Sequence, residues 1–292
     1  MSAPTPGRHE RFYQHEGRDR FCHVYIPATH DPVVPAPLVL ALHGATSNPK
    51  LMAQFCGMHA KADLEGFVVA YPAGTGAVGT VLFWNGGGSW GYAAKNNVDD
   101  VGFLRLVVDD LRSFVAIDPN RIHVCGMSNG AIMTYRLGVE MSDVFASIAG
   151  VAGPMIPKGP SEGRPMPVLH IHGSDDEFAP YLGGVGPQSL YKVPMPSVGD
   201  TIRYWVEHNR CSPNPRLETI PDRAGDGTTV RTERYSPEQG DAEVVLHVVE
   251  GGGHTWPGRP PLPERLGKSS GNLNANDVIW DFFRQHPLRP TA

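Results

Sequence analysis

Short apolar runs that alternate with amphipathic stretches constrain this chain more than any other feature. Leu38 to Leu42 is apolar at every position, and a strand of that kind must be covered on both faces, as the inner strands of a parallel sheet are. Phe21 to Pro27, Leu38 to Gly44 and Phe67 to Pro72 read as early strands, each closed by a turn signal. From Asp99 to Phe114 the period changes. Leu104, Val107, Val108 and Leu111 recur at helical spacing behind two aspartates, which favour a helix start. Later strands are expected at ASIAGVAG, PVLHIHG and AEVVLHVVEGG, and helices over Val198 to Asn209 and Ala275 to Gln285. Such an order predicts an α/β fold, with a mainly parallel central sheet flanked by helices on both faces. Segments dense in Pro, Gly and polar residues at 154–165, 180–196 and 260–271 interrupt the pattern, which resumes after each. They are expected as surface excursions of a single domain over residues 1–292.

A second constraint is Gly126-Met127-Ser128-Asn129-Gly130. It follows the apolar run Ile122 to Cys125 and precedes a helical stretch containing Ile132, Met133, Tyr135 and Leu137. Glycines two before and two after the serine let a strand turn sharply into a helix, lifting the hydroxyl above the sheet edge. The helix start then directs amides toward developing negative charge. A serine hydroxyl is a weak nucleophile and needs a general base, which in turn needs an orienting carboxylate. His254 is the best-placed base, after the strand AEVVLHVVE and the glycines Gly251 to Gly253, which are expected to let its loop approach the serine. His170, His172, His208, His247 and His286 lie in strands or helices or beside them, where packing or exposure is the plainer reading. The carboxylate should come from Ser174-Asp175-Asp176-Glu177, and chemistry alone leaves that choice open. Oxyanion donors are expected at the amide of Asn129 and at that of Ala45, with Thr46 as the alternative, after the strand-ending dipeptide His43-Gly44.

Charge and composition narrow the partners. A net charge of −5 leaves no basic stripe for tracking phosphates, so nucleic acid is not an expected partner. The N-terminus has no apolar leader and no run approaches the roughly 18 apolar residues that span a bilayer. We therefore expect a soluble protein with no membrane partner, cytoplasmic as the chain stands and secreted if it is a shortened form. Cys22, Cys56, Cys125 and Cys211 lack the spacing of a zinc site or disulfide scaffold and are expected as free thiols, Cys125 buried. No metal or organic cofactor is expected.

Taken together, LHGATSN, GMSNGAIMTYRLG, HGSDDEFAPY and VEGGGHTWPG resemble the polyhydroxybutyrate depolymerase-like and feruloyl esterase-like branch of the α/β hydrolases, over nearly the whole chain. The resemblance implies the α/β-hydrolase fold and places the catalytic aspartate at Asp176 rather than Asp175. It also implies Ser128 as nucleophile and His254 as base, with Asp99 and Asp100 in a structural, helix-capping role. Many secreted relatives pair a cysteine before the strand leading to the histidine with one in an Asn-x-Cys segment. Here Cys211 has no such partner, which favours a reducing compartment. Trp84, Tyr181 and above all Trp256, two positions from the base, are expected to line the substrate pocket. The implied activity is acyl transfer to water on hydroxyalkanoate or hydroxycinnamoyl esters, small or oligomeric. A peptidase or acyltransferase using the same residues, and a silent binding protein of this fold, are the competing expectations.

Overall fold

The computed structural model describes residues 4–156, 163–260 and 263–288. Residues 157–162 of the first expected excursion and 261–262 of the third lie outside them.

Twelve strands are assigned among these residues: β1 (Gly7–His15), β2 (Arg18–Ile26), β3 (Ala36–Leu42), β4 (Val68–Pro72), β5 (Thr75–Val78), β6 (Val81–Phe83), β7 (Ile117–Met127), β8 (Ser147–Val151), β9 (Val168–Gly173), β10 (Arg216–Ile220), β11 (Thr229–Tyr235) and β12 (Val244–Glu250). The α-helices are α1 (Pro49–Cys56), α2 (Met58–Glu65), α3 (Tyr92–Lys95), α4 (Asp100–Phe114), α5 (Asn129–Glu140), α6 (Val198–His208) and α7 (Ala275–Gln285). Ten strands form one sheet in the order β1-β2-β4-β3-β7-β8-β9-β12-β11-β10, and β5 and β6 form a separate hairpin. The six from β4 to β12 run parallel, and both flanks are antiparallel.

Inner strands are buried on both faces because successive residues supply opposite cores. Leu38, Leu40 and Leu42 of β3 pack with Phe103 and Leu104 of α4, Met133 and Leu137 of α5 and Trp205 of α6. Val39 and Ala41 pack on the other side with Met52 of α1, Ala62 of α2 and Ile279 and Phe283 of α7. The mainly parallel sheet with helices on both faces is thus as the sequence predicts. Edge strands β1 and β10 went unread because they carry little apolar signal. β1 alternates half-buried with exposed residues, and the first four residues of β10 are exposed. β7 is longer than the run Ile122 to Cys125, absorbing the turn residues Asp118, Pro119 and Asn120. Asp99 caps α4 as expected, accepting from the Gly102 amide. Asp100 does something else: with its side chain fully buried, it pairs with Arg20 at 2.7 Å and accepts the Asn85 amide. All four cysteines are buried free thiols.

Candidate active site

β7 ends in the Gly126–Gly130 segment, and α5 begins one residue after the serine. Ser128 has φ 56° and ψ −118°, a positive φ that a side chain rarely adopts and that tends to mark functional turns. Two contacts fix it: the Ser128 amide donates to Val151 O at 2.8 Å, and its carbonyl accepts from Ile132 N at 3.0 Å. The flanking glycines are required sterically. A Cβ at Gly126 would stand 2.3 Å from Gly130 O, and one at Gly130 would stand 2.3 Å from Leu42 O. The bend therefore fits only while β3, β7 and α5 are in close contact.

Asn129 is buried, and its side chain clamps Trp84 by accepting the Trp84 amide at 2.7 Å and donating to the Trp84 carbonyl at 3.1 Å. Its own amide belongs to the first turn of α5, where amides lack intrahelical acceptors. Opposite it, His43 donates from Nδ1 to Gly44 O and accepts the Gly74 amide on Nε2. Burial pushes this imidazole down to about 4, so it is a neutral strut that shapes the 43–46 turn. Ala45 and Thr46 both line the cavity with Ser128, and the Thr46 amide is committed to Leu82 O at 2.8 Å.

The carboxylate and histidine follow β9 and β12, which are parallel neighbours. Of the three consecutive acids only Asp176 is buried; Asp175 and Glu177 are exposed. Asp176 Oδ2 lies 2.7 Å from His254 Nδ1, and Oδ1 accepts the amides of Phe178 and Ala179, both at 2.8 Å. Burial alone would raise this carboxyl, but the charge of His254 and hydrogen bonds from His172 and His254 outweigh it and hold it well below the usual carboxylate range. His254 is buried, with the Phe178 ring stacked 5.0 Å away. The glycines before it act differently from expectation. A Cβ at Gly253 would sit 2.2 Å from Leu266 O, and one at Gly173 would sit 2.2 Å from Gly252 O. Gly253 makes room for the 266–267 segment, and Gly173, at the end of β9, makes room for the Gly252–Gly253 backbone.

Ser128 and His254 line one cavity of about 490 Å³, with Ala45, Met127, Ile132 and Gly153 at its base. The three expected aromatics do not line it. Trp256 is 1% exposed and packs in the α7-side core, its indole donating to Asn276 at 2.9 Å; two residues from His254, the chain has already turned inward. Trp84 is equally buried and donates to His43 O. Tyr181 packs against the α6-side core, edge-on to His172. Phe55, Trp90, Phe178 and Tyr191 are the cavity's aromatic lining instead, and Arg265 is the one arginine among the described lining residues. Tyr191 and Arg265 belong to the expected excursions, so those segments are cavity walls as well as surface. A buried serine–histidine hydrogen bond, Ser147 Oγ to His123 Nδ1 at 2.8 Å, sits at the start of β8, away from the strand ends that carry the cavity.

The fold is that of the α/β hydrolases, and the cavity lies where that fold carries its chemistry, above the carboxyl ends of the parallel strands. Within this class the model of the family described as esterase PHB depolymerase matches residues 22–195, and the chain belongs to that family. A protein of Nocardia uniformis subsp. tsuyamanensis named as an esterase, NocK, is 32% identical over 85% of this chain and 74% of its own length. Feruloyl esterase B of Piromyces equi is 28% identical over 78% of this chain, which spans 38% of that protein. Acetyl xylan esterase from Aspergillus awamori shares the fold at a TM-score of 0.59, with 13% identity over 94% of this chain and 99% of its own. Among the described residues no helix is long and apolar enough to cross a membrane.

Proposed function

We propose that the protein is a serine carboxylic ester hydrolase in which Ser128 attacks the ester carbonyl, His254 takes its proton and Asp176 orients His254. The 2.7 Å contact between His254 Nδ1 and Asp176 Oδ2, made beside a cavity that Ser128 and His254 share, carries this assignment. With Nδ1–H donated to the carboxylate, Nε2 is the free basic nitrogen. The tetrahedral oxyanion is held by the amides of Asn129 and Ala45, and the engagement of the Thr46 amide with Leu82 O supports Ala45 over Thr46. His254 returns the proton to the departing alcohol. Water, deprotonated by the same histidine, then releases the acid. No step calls for a metal, a cofactor or a partner macromolecule, and residues 1–292 act as one catalytic domain.

Two features bear on the substrate. An aromatic lining of Phe55, Trp90, Phe178 and Tyr191, together with the similarity to a feruloyl esterase, supports hydroxycinnamoyl esters. Arg265, which also lines the cavity, suits a substrate carboxylate, as at the end of a hydroxyalkanoate oligomer. A panel of methyl ferulate, hydroxybutyrate oligomers, an acetylated sugar and a peptide amide tests both. The expected result is hydrolysis of the first or second, abolished in Ser128→Ala, with the amide untouched. Preferential cleavage of the amide establishes the peptidase alternative, and inactivity on all four contradicts the proposal.

A further inference from the structure

A chain of buried side chains runs from α5 to the carboxylate that contacts His254. Tyr135 Oη lies 2.5 Å from His170 Nδ1, and His170 Nε2 lies 3.0 Å from His172 Nδ1. His172 Nε2 lies 2.8 Å from Ala179 O and 3.3 Å from Asp176 Oδ2. Tyr135, His170, His172 and Asp176 are all buried, and neither Tyr135 nor the two histidines line the cavity.

Chemistry sets the direction of this chain. A carbonyl oxygen only accepts, so the hydrogen of His172 is on Nε2, and in the neutral ring Nδ1 is left to accept. The donor to it is His170 Nε2–H. Burial keeps His170 uncharged, well below its ordinary titration range, so its Nδ1 must also accept. Tyr135, whose burial raises its phenol and keeps it protonated, supplies that hydrogen. The Ala179 carbonyl, which can only accept, thus sets the direction of the whole chain, and Tyr135 supplies the hydrogen at its far end.

The chain ends in a clamp. His172 Nε2–H holds the carbonyl of Ala179, and the amide of the same residue donates to Asp176 Oδ1. That N–H also stands beside Asp176 Oδ2, the oxygen that accepts from His254. Both carboxylate oxygens therefore have partners besides His254. We propose that His172, held in one tautomer by the Ala179 carbonyl and supported from behind by His170 and Tyr135, is a positioning residue that fixes the Asp176 carboxylate for His254. It rests on the roles assigned above to Ser128, His254 and Asp176.

Three variants test it: His172→Leu removes the donor, His172→Gln keeps an N–H at a similar reach, and Tyr135→Phe keeps shape but leaves His170 Nδ1 without its donor. Phosphonate titration gives the fraction of competent sites, so that kcat is counted per folded molecule. His172→Leu leaves the buried Ala179 carbonyl and Asp176 Oδ2 without that N–H, so kcat falls by roughly ten- to a hundredfold with KM unchanged. The Gln variant recovers most of it, and Tyr135→Phe shows a smaller loss of the same kind. The low-field proton resonance of the His254–Asp176 hydrogen bond shifts in the Leu variant and returns toward its original position in the Gln variant. Equal kcat for wild type and His172→Leu, or equal losses for Leu and Gln, overturns the proposal; so does Tyr135→Phe with unaltered kcat, should the Leu variant not fold. Failure of wild type to react with the phosphonate at Ser128 marks failure of the functional assignment instead, and the resonance still reports on the clamp.

Discussion

Asp175 and Asp176 are chemically identical neighbours separated by their surroundings. Asp176 lies under the loop with four groups around its two oxygens, whereas Asp175 is exposed and accepts only from Ser174 Oγ. Replacing Asp176 by Asn is expected to lower kcat by about 10⁴, as when a triad acid loses its charge and leaves the histidine in the wrong tautomer. Asp175→Asn should leave kcat nearly unaltered, so ester turnover by the two variants separates them. Residues alone left this choice open; the family resemblance pointed to Asp176, and its burial agrees. Ser128 was legible because its glycines are a steric demand visible as spacing. Trp256 was not, because closeness along the chain says nothing about which way a turn sends a side chain. His43 and His172 were hidden for another reason: their work is done by hydrogen bonds to the backbone of loops, at Gly44 and Gly74 for His43 and at Ala179 for His172, which residue spacing does not announce.

At the scale of elements, the N-terminus of α4 is tied to the elbow by a relay of contacts. Arg20 on β2 pairs with Asp100, Asp100 holds the Asn85 amide, and the adjacent Trp84 is clamped by Asn129. Both charges of the ion pair are buried, so removing one partner strands the other. Asp100→Leu is expected to destabilise by about 3–5 kcal/mol, and adding Arg20→Met should restore much of that. Urea unfolding of the single and double variants measures the coupling, and additive losses would argue against it. Helix positions such as Ala275–Gln285 were readable from periodicity. This ion pair was not, since its partner lies 80 residues earlier in the chain.

On the scale of the whole molecule, several histidines are buried neutral. Burial pushes His43 to about 4, His123 to about 3 and His247 to about 4, from an ordinary 6.5. Unfolded, these rings take up protons near 6.5, so below that pH the unfolded state binds more protons than the fold. Stability that is fully present above 6.5 is therefore lost as pH falls toward 4. Asp176 acts lower down. Its depressed carboxyl contributes above the ordinary value of 3.8 and loses that contribution as pH falls further. The melting temperature, followed at constant ionic strength, should be level above about pH 7 and fall steadily toward about pH 5. A flat profile over that interval would contradict the buried-histidine account. Strands and their mainly parallel arrangement were legible at the centre, where apolar runs demand two covered faces, and not at the polar edges or in the cavity-forming excursions, whose course depends on distant contacts.

The central claim is that Ser128 is the nucleophile, and the direct measurement is mass mapping of the adduct formed with an active-site phosphonate. A single stoichiometric adduct on Ser128, absent in Ser128→Ala, is the predicted result. An adduct on any other residue, or none on a protein that hydrolyses esters, would contradict it.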